Sequence, residues 1–138
     1  MRPYAYEFLD YVSKKYEIIV FCNGSDLYCK PVLDYIEKER LYFAHRAYGS
    51  YVLFENPTFS VKYYDFLMCD GRDSNNSVIV DSHVGTFCLR IANGVPVLPY
   101  SDTEKGDEEL IGLAKCLDEL AISANISAAI NCAAINAI

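Results

Sequence analysis

Three features of the 138-residue sequence predict an α/β fold built on a parallel sheet. Two continuous apolar runs, EIIVFC (17–22) and SVIVD (77–81), have the β-branched composition of strands buried on both faces. A segment of helical periodicity follows each run, as a right-handed crossover between parallel strands requires. Between them lies an aromatic, alternating stretch (41–61), which reads as an antiparallel excursion from that sheet.

The elements follow in order. Pro3 suits a first helical turn, and Tyr4, Phe8, Leu9, Tyr11 and Val12 form a near-helical stripe. Lys14 and Lys15 sit at the end where cations offset the helix dipole. The first strand (17–22) stops at Asn23-Gly24, and Ser25 or Asp26 can cap a second helix carrying Leu27, Val32, Leu33 and Ile36. Pro31 is tolerated there only if it falls early. The excursion turns at Asn56-Pro57 and runs into Lys62; a short helix with Tyr63, Tyr64, Phe66 and Leu67 follows. After the polar loop GRDSNNS (71–77) the second strand ends in Asp81. Val84, Phe87, Cys88 and Ile91 have helical spacing, Asn93-Gly94 turns the chain, and VPVLPY (95–100) reads as a third parallel strand. Leu110, Ile111, Leu113, Ala114 and Leu117 give a final amphipathic helix over 107–121. Residues 122–138 are uncharged and rich in Ala, Ile and Asn. They are expected to be frayed or disordered, with a docked helix and a membrane anchor as alternatives. The chain thus divides into one domain, 1–121, and a tail, 122–138.

Composition narrows the function. Twelve Lys and Arg against nineteen Asp and Glu give a net charge of −7, which argues against a general nucleic-acid binder. The six cysteines contain no CxxC pair, so neither zinc spacing nor a secreted disulfide framework is implied, and a reducing nuclear or cytoplasmic compartment is expected. No membrane partner is expected.

In open α/β sheets, sites lie beyond the carboxyl ends of strands. Cys22-Asn23-Gly24-Ser25 and Asp81-Ser82-His83 occupy two such ends. Asp81 can hold a hard cation such as Mg²⁺ or serve as a helix N-cap. Lys62 can neutralise a phosphate or be simply solvated. Cys22 can be a small buried apolar residue, or a nucleophile with His83 as its base. His45 and most of the twelve tyrosines read as packing.

Taken together, residues 2–37, FSVKYYDFL (59–67) and SVIVDSHVGTFCLRIANGVPVLPY (77–100) resemble the small C-terminal-domain phosphatases. These are the nuclear LIM interactor-interacting factor-like group of the haloacid dehalogenase superfamily. The likeness lies in the order and spacing of the set rather than in any one motif, and it covers about residues 2–121. It implies a haloacid dehalogenase-like Rossmannoid sheet, Mg²⁺ as cofactor, and a phosphoprotein or peptide segment as partner, dephosphorylated at serine or threonine through an aspartyl-phosphate. It makes Lys62 the charge-offsetting lysine and a catalytic residue. Asp81 becomes the first, and Ser82 the second, position of the metal-holding pair, where the family usually has Asn or Asp after the first acid. Cys22 stands where the family has a phosphate-binding Thr or Ser, and a thiol is a weak donor. Asn23, with the backbone N–H groups of Gly24 and Ser25, is the expected compensation in phosphate binding.

The family's Asp-x-Asp-x-Thr motif, which supplies nucleophile and general acid/base, occurs nowhere in these 138 residues. The resemblance places it on a central strand preceding the Arg2-Pro3 helix. Without that strand, the 17–22 and 77–81 strands are expected either to stand apart or to pair directly. The chain as given is therefore expected to be inactive. Three accounts follow: a phosphatase whose first segment is missing from the sequence; a non-catalytic protein-binding module like the related mitochondrial inner-membrane translocase receptor, with a mitochondrial location; or a decayed gene product.

Overall fold

The computed structural model describes residues 1–55, 60–103 and 105–136. The expected turn at Asn56-Pro57 lies outside the described residues. The element order is α1 (Ala5–Val12), β1 (Ile18–Phe21), α2 (Asp26–Ile36), β2 (Phe43–Ala47), β3 (Val52–Glu55), β4 (Ser60–Lys62), β5 (Ile79–Asp81), β6 (Gly94–Pro96), α3 (Glu109–Ala121) and α4 (Ile126–Asn136). Three 3₁₀ segments, Gly49–Tyr51, Asp65–Leu67 and Val84–Asn93, lie between strands. Helices and strands mix throughout, as an α/β fold requires.

The strands do not join into one sheet. β1 pairs with β2 in parallel, β3 with β4 antiparallel, and β5 with β6 in parallel, giving three two-stranded sheets. The expected continuous parallel sheet is therefore corrected: β1 and β5 stand apart, one of the two outcomes anticipated. The antiparallel excursion is also shorter than 41–61. Phe43–Ala47 belongs to β1, with Ile19 opposite His45 and Phe21 opposite Ala47. Its start is fixed by Glu37, whose carboxylate accepts the N–H groups of Tyr42 (2.5 Å) and Phe43 (2.7 Å) and pairs with Arg46. A strand anchored from a preceding helix end is invisible to local alternation.

Two further readings change. Val84–Asn93 is a kinked 3₁₀ segment, with non-helical backbone at Phe87 and Arg90. A period of three separates residues that an α-helix would align. Phe87 is buried, but Val84, Cys88 and Ile91 are exposed. The third strand ends at Pro96 instead of reaching residue 100, since proline offers no N–H to extend a ladder. Pro31 lies within α2, which runs through it.

Apolar burial falls into two clusters. Val12 of α1, Leu113, Leu117 and Leu120 of α3, and Ile126 of α4 form the larger, joined by Phe8, Ile18, Val78 and Val95. The Tyr16 hydroxyl donates to Leu117 O (2.7 Å) and fastens the end of α1 to α3. Tyr64, Ile79 and Phe87 form the smaller, with Phe21 and Leu67 against it. Gly94 is placed by packing: a Cβ there would lie 2.0 Å from the Phe87 ring. Asn93, 2% exposed, donates to Ser74 O and Ser77 O (both 2.8 Å) and so pins the 71–77 loop beneath β5. The uncharged tail carries α4. Its first residue is buried and donates its N–H to Asn75 O (2.7 Å), while residues 131–136 are exposed. No helix among the described residues is long and apolar enough to cross a membrane.

Candidate functional site

Lys62 ends β4 and is 5% exposed. Strand alternation puts Ser60 on the same side, two residues earlier. The Lys62 ammonium donates to Asp81 Oδ2 at 2.9 Å and to Phe21 O at 3.2 Å, and it lies 5.1 Å from the centre of the Phe21 ring. One side chain thus ties together the carboxyl ends of β1 and β5, the two strands that the sheets leave apart. Ser60 accepts a bond from the Asn23 amide (3.2 Å), bringing the segment after β1 to the same place. That segment closes down on Gly49, whose N–H donates to Gly24 O (3.0 Å). A Cβ on Gly49 would stand 2.6 Å from Asn23 O.

Asp81 is engaged through both oxygens. Oδ2 takes the Lys62 ammonium, and Oδ1 accepts the His83 N–H (3.0 Å). Burial pushes its carboxyl up, but the Lys62 hydrogen bond and the His83 N–H outweigh burial and hold it below the usual carboxylate range. Ser82 turns to His83 instead, with Oγ 3.0 Å from Nδ1. The floor is apolar and aromatic. Phe21 and Tyr64 lie with ring centroids 5.3 Å apart, and burial pushes the Tyr64 phenol up to about 12. Thr86, 1% exposed, donates to His83 O (2.8 Å) and lies within hydrogen-bond reach of Asp81 and Tyr64.

Cys22 follows β1, with its N–H on Ala47 O (2.8 Å). Burial first, and then the Cys29 thiol beside it, push Cys22 up to about 11. A thiol held there is not a ready thiolate. Its partner is Cys29, whereas His83 is engaged with Ser82 and Asp81. The Cys22–His83 nucleophile–base pair is therefore not formed.

The structure gathers Lys62, Asp81, Asn23 and Cys22 at one end of the strands, and Ser82 beside them without contact to Lys62. Sequence reading missed Ser60, Thr86, Tyr64 and the Phe21 carbonyl. For Ser60 a signal existed, its two-residue spacing from Lys62; Thr86 and Tyr64 reach the site through 3₁₀ turns that carry no such mark.

Mg²⁺ prefers an octahedron of oxygen ligands led by carboxylates. Asp81 is one carboxylate with its charge already paired to an ammonium, and the Ser82 hydroxyl points elsewhere. Among the described residues no group of three His, Cys, Asp or Glu side chains converges to hold a metal. These residues do not fit a resident Mg²⁺, and no chemical step is routed through one.

The fold and site define an α/β domain with a buried lysine–aspartate pair where strand ends meet. The profile of the NLI interacting factor-like phosphatases matches residues 1–127, and the chain belongs to that family. It is 31% identical over 121 residues to a probable C-terminal domain small phosphatase of Dictyostelium discoideum, covering 86% of this chain and 37% of that protein. It is 31% identical over 119 residues to CTD small phosphatase-like protein 1 of Caenorhabditis elegans, covering 86% and 23%. It is also 26% identical over 126 residues to the mitochondrial import inner membrane translocase subunit TIM50 of Yarrowia lipolytica, covering 91% and 26%. The chain thus spans well under half of the length of each of these three relatives.

Proposed function

We propose that these residues form the phosphate-recognition part of a haloacid dehalogenase-type protein serine/threonine phosphatase domain, and that by themselves they bind a phosphorylated peptide segment without hydrolysing it. Lys62 supplies the cation and the Asn23 amide a neutral donor. Cys22 stands where a hydroxyl would bind better. The observation that carries the reading is the state of Asp81. It is the only carboxylate in ion-pair contact with Lys62 among the described residues, and both its oxygens are occupied. An attacking carboxylate needs a free lone pair and a cation that offsets its repulsion by phosphate. Here the cation is spent on the carboxylate itself. The phosphatases among the relatives support the ancestry, and the absence of an Asp-x-Asp-x-Thr sequence in these 138 residues supports the lack of turnover.

The test is an assay of this chain with p-nitrophenyl phosphate and Mg²⁺, beside titration with a phosphoserine peptide. Binding that weakens in Lys62→Ala, with no turnover above blank, supports the reading. Turnover that disappears in Lys62→Ala or Asp81→Ala overturns it. A second reading, a protein-binding module without any phosphate role, draws support from the translocase relative. Equal affinity for phosphorylated and plain peptide would favour it.

A further inference from the structure

β1 and β5 each use one edge. β1 is bonded to β2 and β5 to β6, and nothing joins β1 to β5. Both line one cavity of about 680 Å³, which runs from Glu17 and Val78, just before the two strands, to Phe21 and Lys62 at their ends. Because Lys62 bonds both Phe21 O and Asp81, the two strands have their carboxyl ends at the same place. The cavity also divides the apolar interior. Val12, Leu113, Leu117 and Ile126 of the larger cluster line it, and so do Tyr64 and Ile79 of the smaller. The strand residues bordering it are only half-buried, and Val80 is 39% exposed, although their composition is that of strands covered on both faces.

We propose that this slot is a binding site for an extended, β-branched apolar strand of a second polypeptide, which inserts between β1 and β5 and joins them into one sheet. Size supports a strand: with a rise of about 3.3 Å, a spacing of about 4.8 Å and a layer of about 10 Å, one strand residue fills roughly 160 Å³. The cavity then holds roughly four such residues, matching the four of β1. Chemistry selects a strand over other apolar occupants. Two open edges present backbone N–H and C=O groups that an acyl chain or small apolar molecule leaves unpaired, and a helix satisfies only its own. An added strand serves both edges at once. This chain has no strand to spare, since its apolar runs are already committed to described elements. A second copy is excluded by bulk, because each of its strands brings a paired neighbour with it. The occupant has an uncharged, proline-free core, because clusters on either side of the slot cover it. The inference does not depend on phosphate recognition.

The test uses the full chain with the synthetic peptide acetyl-Lys-Gly-Val-Ile-Val-Val-Gly-Lys-amide, and the same peptide N-methylated at alternate apolar residues. Hydrogen exchange is followed at those amides of 18–21 and 79–81 that do not bond β2 or β6. The plain peptide is expected to slow them saturably, by about tenfold when roughly nine-tenths of the protein is loaded. The N-methylated peptide, which keeps the side chains but loses the donors, is expected to leave them unchanged. No protection at millimolar peptide overturns the proposal. Equal protection by the N-methylated peptide overturns it too, because the slot would then select grease and not a strand. Protection confined to the outer edges of β2 or β6 places binding elsewhere. Edges already protected in a chain that sediments as a dimer would show that a second copy fills the slot.

Discussion

Lys62 and Asp81 illustrate how a buried ion pair is held rather than how much it adds. Their side chains are 6% and 16% exposed, so removing one partner strands the other charge in a poor solvent. Asp81→Ala leaves Lys62 with only Phe21 O and a ring face, and a loss of about 2–3 kcal/mol in urea unfolding is expected. Lys62→Met costs less, about 1–2 kcal/mol, because Asp81 keeps the His83 N–H and some water. The pH dependence follows from the direction of the shift. Asp81 is held below the usual carboxylate range in the folded state, so its contribution is complete above its unfolded value, about pH 4, and is lost as pH falls through the folded one. Thermal melts from pH 6 down to 2 should therefore fall more steeply for the parent than for Asp81→Asn. The cysteines give a second check. Cys69, Cys88 and Cys132 are exposed, Cys29 is buried, and Cys22 is pushed up to about 11. Iodoacetamide at pH 8 is expected to alkylate the three exposed thiols first, with Cys22 and Cys29 following only on unfolding, as mass spectrometry would show. Rapid labelling of Cys22 would contradict its placement against Cys29.

Elements whose identity depends on their own residues were legible, and those that depend on a partner were not. EIIVFC and SVIVD declare β1 and β5 through β-branched runs, and the leucine spacing of 107–121 declares α3. Phe43–Ala47 contains His45 and Arg46 in a strand whose only bonded neighbour is β1, and its start is set by the carboxylate of Glu37. No pattern within five residues conveys that. The segment 84–93 failed for another reason: 3₁₀ and α periods differ by little over one turn, and only the burial of Phe87 separates them. The site divides in the same way. Lys62 and Asp81 stand out as charges at the ends of apolar or aromatic strands, whereas Thr86 and Tyr64 contribute through tertiary contact alone. Gly94 supplies the clearest test of how an element is seated. A methyl group there meets the Phe87 ring at 2.0 to 2.8 Å, and that ring is 1% exposed with nowhere to retreat. Gly94→Ala is expected to destabilise by about 2–3 kcal/mol through overpacking, and Phe87→Leu in the same chain should recover part of the loss. A fall in melting temperature that Phe87→Leu does not relieve would show that some other contact governs the position.

The molecule as a whole has two apolar clusters and three small sheets where composition forecasts a single continuous sheet. The consequence extends to its behaviour in concentrated solution. Unpaired strand edges are templates, and what restrains one molecule from pairing with the next is its net charge of −7. That restraint is colloidal and weakens with ionic strength, since the screening length shrinks from about 30 Å at 0.01 M salt to about 8 Å at 0.15 M. Light scattering at fixed protein concentration is expected to rise steeply over that range, and to rise earlier as pH approaches the isoelectric region near 4.7. A chain that stays monodisperse throughout would mean that its edges are shielded by something other than charge. Open strand edges of this kind make solubility a property of the buffer as much as of the fold.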